Sequence, residues 1–139
     1  MELKCEVAGN DFDRAGEASA RIKKALQLLG VPAEVVRRIA IGTYEGEMNA
    51  LIHAGGGMVT AEITPDVTLI TIDDKGPGIA DVQQAMKEGF STAPDYVRAM
   101  GFGAGMGLPN MMKCSDEFSI KTLVNSGTKI TMRFDHKQS

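Results

Sequence analysis

Residues 32–54 constrain the fold most tightly. Pro32 suits the first turn of a helix, and apolar residues then recur most of the way round it: Val35, Ile39, Ile41, Met48, Leu51 and Ile52. A helix of this kind is central and buried on more than one side. The segments before it supply a strand and a second helix. Leu3, Cys5 and Val7 alternate as a short first strand. Asp11 or Asp13 caps a helix that runs to about Leu29, with Ala15, Ala18, Ile22, Ala25, Leu26 and Leu29 as its stripe and Gly30 as its stop.

The segments after it alternate between hairpins and short helices. Gly55-Gly56-Gly57 ends the central helix. Val59, Ala61 and Ile63 then alternate, Thr64-Pro65-Asp66 forms a tight turn, and Val67 to Ile72 is a β-branched run, so 58–73 reads as a hairpin. Ile79 to about Glu88 reads as a short helix, 89–107 as a long loop, and Leu108 to Cys114 as another helix. Phe118–Val124 and Thr128–Phe134 read as strands joined at Asn125-Ser126-Gly127. Paired strands kept apart from helices argue for a two-layer α/β sandwich over a doubly wound parallel sheet. The first strand-to-helix turn also lacks the glycine fingerprint of a dinucleotide-binding domain. At 139 residues, with no repeat and no linker, the chain reads as one domain over 1–139.

Composition excludes several function classes. The net charge is -3, Lys and Arg are scattered, and there is no tryptophan. A nucleic-acid binder shows a basic patch and stacking aromatics instead. Lys23-Lys24 and Arg37-Arg38 read as solvated helix faces. Cys5 and Cys114 form no C-x-x-C pair and the two histidines lie far apart, which argues against structural zinc. His53, beside Ala54, reads as packed, and Met111 and Met112 read as core. No leader-like or membrane-spanning apolar run is present. The expected setting is cytoplasmic and reducing, with both thiols free.

Glycine is in excess, 16 of 139 residues, against a usual share of about 7 %. Its clusters sit beside the polar residues that could carry chemistry. Glu45 and Asn49 are four apart on the central helix and project from one face. Gly42, one turn earlier, leaves room beside them. A carboxylate and an amide so placed can orient a hydroxyl or water and offer an oxygen to Mg²⁺, or they form an ordinary polar helix edge. Asp73-Asp74-Lys75-Gly76-Pro77-Gly78 follows a strand directly. Its carboxylates could accept from an exocyclic amine such as that of adenine, or the segment is a tight turn. Gly101 to Gly107 alternates glycine with other residues before a helix. Such a loop presents free N–H groups to phosphates, though no Gly-Lys-Ser/Thr follows, and a plain surface loop is the other reading. Gly127-Thr128 opens the last strand.

In order and spacing, Glu45-x-x-x-Asn49, Asp74-x-Gly76-x-Gly78, the 101–107 glycines and Gly127-Thr128 resemble the GHKL ATPase superfamily. That group includes gyrase, the heat-shock chaperone ATPase, MutL and histidine kinases. Within it, Asn49-Ala-Leu-Ile-His53-Ala, Gly89-Phe-Ser-Thr92, Gly103-Ala-Gly-Met-Gly-Leu-Pro109 and Ser115-Asp-Glu-Phe118 look like the switch-type anti-sigma serine/threonine kinases. The resemblance implies the Bergerat fold: an α+β, two-layer sandwich whose mixed, mostly antiparallel sheet is covered by helices on one face. It implies ATP and Mg²⁺ as cofactors, with Glu45 as general base and Asn49 as metal ligand. Asp74 would bind the adenine amine, helped by Thr128, and Gly76 and Gly78 would shape the pocket. Gly103, Gly105 and Gly107 would wrap the phosphates. The partner implied is a STAS-domain anti-anti-sigma protein or a sigma factor, with homodimerisation also compatible. Partner sequestration without kinase activity, and plain ATP hydrolysis, are the alternative functions. Gly46, Glu47 and Met48 depart from the family's first box, and 93–100 reads as an insertion.

Overall fold

In the computed structural model, which describes residues 1–9, 12–53, 56–74, 107–123 and 127–137, the central helix α2 spans Ala33–His53 and lies across a five-stranded sheet. The strands are β1 (Glu2–Ala8), β2 (Gly56–Ile63), β3 (Val67–Asp74), β4 (Glu117–Leu123) and β5 (Gly127–Asp135). Their order is β1-β2-β3-β5-β4, and all four pairings are antiparallel. Among the described residues, α1 (Glu17–Leu28) and α3 (Gly107–Cys114) are the other α-helices. The expected helix at 79–88, the loop up to 106 and the turn at Asn125-Ser126 lie outside the described residues.

The sheet's two faces follow from the side-chain alternation of strands. Thr68, Ile70, Ile72 and Asp74 of β3 stand opposite Phe134, Met132, Ile130 and Thr128 of β5, and all eight are buried. Val59 and Ala61 of β2 and Cys5 and Val7 of β1 continue this face. The opposite face carries Lys4, Thr60, Thr71, Thr131 and Ser119 in one register row. An antiparallel sheet tolerates water on one side, and this polar face is the wet one.

Two glycines bring α2 down onto the dry face. A Cβ at Gly42 would lie 3.1 Å from Met132 Sδ and 3.1 Å from Phe134 Cζ, and a Cβ at Gly46 would lie 2.6 Å from Ile72 Cδ1. Gly42 therefore makes room for the sheet and not for a ligand beside Glu45. The two contacts also give α2 a direction. It passes from the Phe134–Met132 rows toward Ile72, that is, toward the end of β3 where Asp74 stands.

α1 differs from its expected form at its start. Asp13 sits in a short 3-10 turn, Phe12–Arg14, and the residue preceding the helix is Gly16; Asp11 lies outside the described residues. The first-turn amides of Ala18 and Ser19 instead donate to the Glu47 carboxylate, both at 3.0 Å. A buried acceptor on a neighbouring helix has replaced a local cap. Ala15 precedes the helix, and Leu29 is exposed at its end. The stop matches expectation. Gly30 N–H donates to Gln27 O and Val31 N–H to Leu26 O, the paired bonds of a Schellman motif.

Other packing departs from the sequence reading as well. Met111 is fully buried, but Met112 is 50 % exposed. Neighbours on a helix point about 100° apart, so α3 can bury only one of them. Arg37 is exposed, whereas Arg38 is half-buried and engaged. Arg38 Nε donates to Cys114 O at 3.0 Å, its guanidinium pairs with Asp116 at 3.0 Å, and it lies over the Phe134 ring. The glycine run at 55–57 is not simply a helix stop either, since Gly56 and Gly57 already belong to β2. Cys5 and Cys114 are both free, and among the described residues no helix is long and apolar enough to cross a membrane.

Candidate functional site

Asp74 and Thr128 are cross-strand partners at the last rung shared by β3 and β5. Both lie on the helix-covered face and both are 5 % exposed. Thr128 N–H donates to Asp74 Oδ1 at 3.2 Å, and the Thr128 hydroxyl meets the Thr122 hydroxyl of β4 at 2.9 Å. A buried carboxylate must have its lone pairs met, and one carboxylate offers about four acceptor positions. The rung can therefore serve a further donor at the sheet end, such as an amino group on a flat ring.

Gly57 keeps this rung open from the neighbouring strand. A Cβ there would lie 2.7 Å from Asp73 O and 3.2 Å from Asp74 Cα. Any side chain would push β2 away from the carboxylate. Thr122 carried no signal in the sequence and Gly57 stood only as part of a helix stop, because strand register alone brings them to Asp74.

α2 supplies the other polar group. Glu45 and Asn49 are both half-buried. Asn49 lies one turn beyond Glu45, nearer the Asp74–Thr128 end of the sheet. Glu45 Oε1 accepts from Asn110 Nδ2 of α3 at 3.3 Å. Asn110 was not anticipated. The sequence places Asn110 on a short helix at 108–114 but does not show which face of that helix meets α2. Pro109 is compatible with this helix because it lies in the first turn, where its missing N–H is no loss. Burial, reinforced by the charges of Glu45 and Glu47, pushes the Tyr44 phenol above its ordinary range.

Glu47 and Glu45 are only two residues apart, but they serve opposite faces. Glu47 is 2 % exposed and is committed to the α1 amides. It also lines a separate cavity of about 190 Å³ between α1 and β1, with Cys5, Arg14, Arg21 and Leu51. A third buried polar cluster lies at the far end of β3. There His136 Nδ1 donates to Pro65 O at 3.0 Å, and Nε2 meets the Thr68 hydroxyl at 2.6 Å.

The structure thus pairs Asp74 with Thr128, and it sets Glu45 and Asn49 on the helix that runs toward them. Gly107 is the first residue of α3. Gly76, Gly78, Gly103 and Gly105 lie outside the described residues. Among the described residues no group of three His, Cys, Asp or Glu side chains could hold a metal by itself. An amide oxygen such as that of Asn49 fits a magnesium ion that takes its other ligands from phosphates and water.

Comparison with known proteins bears on the family and the fold. Residues 43–138 match the family model described as histidine kinase-, DNA gyrase B-, and HSP90-like ATPase. The serine/threonine-protein kinase RsbT of Bacillus subtilis (strain 168) is 34 % identical over 97 residues, 67 % of this chain and 67 % of that protein. The anti-sigma F factor of Pasteuria penetrans is 34 % identical over 125 residues, 84 % of this chain and 80 % of that one. Among solved structures, that of the RsbU and RsbW domains of Rv1364c from Mycobacterium tuberculosis superposes with a TM-score of 0.65 at 16 % identity. It covers 96 % of this chain and 32 % of that longer one. With more than half of its length matched and the same α+β sandwich, the chain belongs to the histidine kinase-, DNA gyrase B-, and HSP90-like ATPase family.

Proposed function

We propose that this protein is an ATP- and Mg²⁺-dependent serine/threonine kinase of the anti-sigma regulatory type, and that its acceptor is a small STAS-domain antagonist protein. The observation that carries the reading is the buried Asp74–Thr128 rung, reached by a helix that bears Glu45 and Asn49. Asp74 accepts the adenine amine and Thr128 fixes the carboxylate's orientation. Asn49 holds Mg²⁺, which neutralises phosphate charge when bound. Glu45 accepts the proton of the attacking hydroxyl. Gly103, Gly105 and Gly107 surround the phosphates, and Gly76 and Gly78 border the ring. Catalysis then rests on positioning and charge neutralisation, as phosphoryl transfer generally does. The kinase name of the Bacillus subtilis relative supports this reading.

The test is transfer of label from γ-labelled ATP to the STAS-domain protein encoded beside this gene. Label should appear on a serine or threonine, and should be lost in Glu45→Gln while ATP still binds. Intact protein that binds ATP but transfers nothing would overturn the kinase reading. The several anti-sigma F factors among the relatives favour a second one, in which a sigma factor is sequestered in a nucleotide-dependent way. Capture of the sigma factor that persists in Glu45→Gln would support it. Steady phosphate release without any acceptor would point instead to a plain ATPase.

A further inference from the structure

We infer that Asn110 is a positioning residue for the Glu45 carboxylate, an inference that rests on Glu45 being the base of the proposed kinase. A glutamate on a half-exposed helix face has three side-chain torsions and is poorly defined unless something holds it. A base must lie within hydrogen-bond reach of the proton it takes. Asn110 Nδ2 reaches Glu45 Oε1 at 3.3 Å. A carboxylate only accepts, so the amide must turn its NH₂ toward it. Among the described residues Oε2 carries no hydrogen bond, so one oxygen is anchored and the other is left for chemistry.

Asn110 can do this because α3 is itself fixed against α2. Met111, the next residue, is fully buried beside Gly46, its Sδ 3.4 Å from where a Cβ would stand. One turn on, Cys114 O accepts from Arg38 Nε at 3.0 Å. Ser115 Oγ donates to Met111 O at 2.8 Å and closes the helix end. Asn110 then has only two torsions of its own, and its reach is short. Three levels of contact along α2, at Glu45, Gly46 and Arg38, make α3 a strut that presents one donor to one oxygen.

The experiment compares Asn110→Leu, Asn110→Gln and Asn110→Asp with the unaltered protein and with Glu45→Gln. Steady-state phosphorylation of the STAS-domain protein is followed at varied ATP. Asn110→Leu keeps the branched shape and heavy-atom count and removes the donor. It should lower kcat roughly 10- to 100-fold, the range expected when a reacting group is displaced by about 1 Å, with KM for ATP within about twofold. Asn110→Gln keeps a donor and should recover part of kcat. Asn110→Asp sets two carboxylates face to face and should be no better than leucine. A purely packing role predicts the reverse order, with leucine nearest the unaltered protein and kcat following the melting temperature; that result overturns the inference. So does an Asn110→Leu protein with unchanged kcat while Glu45→Gln is inactive, and this leaves the kinase reading standing. Full activity in Glu45→Gln refutes the base assignment and the inference with it.

Discussion

Replacing Glu47 by glutamine should destabilise the fold without touching the chemistry of the site. The Glu47 carboxylate accepts two backbone N–H bonds at the start of α1, each 3.0 Å, at 2 % exposure. Hydrogen bonds to a charged group contribute about 1.5–3 kcal/mol each. Glutamine keeps one carbonyl oxygen, so one bond survives in weaker, neutral form. The other amide then faces an NH₂ group, which cannot accept its hydrogen bond. A loss of roughly 2–4 kcal/mol follows from these terms. In a domain of this size 1 kcal/mol shifts the melting temperature by about 3–4 °C, so the expected drop is roughly 6–16 °C. Calorimetry gives the shift. Hydrogen exchange at the Ala18 and Ser19 amides gives its location, and both should lose protection ahead of the sheet. ATP affinity measured below the transition should be unchanged. An unaltered melting temperature, or a protein that keeps its fold but loses nucleotide, would refute the separation of Glu47 from the site.

Three further outcomes are expected. Asp74→Asn should weaken ATP binding by about 1–3 kcal/mol through the loss of one buried acceptor, read by titration calorimetry; unchanged affinity would remove Asp74 from the nucleotide site. Gly46→Ala should destabilise by about 1–3 kcal/mol through overpacking, since its Cβ would meet Ile72 Cδ1 at 2.6 Å. Ile72→Val, which deletes that methyl, should restore part of the urea midpoint. The thiols of Cys5 and Cys114 are raised from their ordinary value of 9.0 chiefly by burial, which Arg21 and Arg38 respectively oppose, and the Tyr44 phenol is raised from 10.0. The folded state therefore holds these protons longer than the unfolded one. This contribution is fully present below about pH 9 and is lost as pH rises through the folded values. Cys5→Ala should flatten part of the alkaline decline in a pH series of denaturant titrations.

The features that were legible in the sequence are those set by local periodicity. The central helix at 33–53, apolar most of the way round though with Ile41 on its exposed face, the β-branched hairpin and the Gly30 stop each follow from neighbouring residues. The Asp74–Thr128 rung was half legible. Each residue stood out at a strand end, but only the register joins them. The cap of α1, expected at Asp11 or Asp13, was misread for a physical reason: capping rules look along the chain, while the acceptor, Glu47, comes from 28 residues away, on another helix. Arg38 was misread in the same way, because its partners Cys114, Asp116 and Phe134 are remote in sequence. Asn110 gave no sign of itself because its role depends on two helices meeting side by side.

The anchoring of α3 has a mechanical consequence. Eight residues make a rod of about 12 Å, fastened near its start through Asn110 and at its end through Cys114. Asp116, just past that end, also accepts the Asp135 N–H at 2.7 Å, where β5 finishes. The head of this rod is thereby tied, through α3 and Asp116, to the tail of β5 at the opposite end of the sheet, and a displacement of one is passed toward the other.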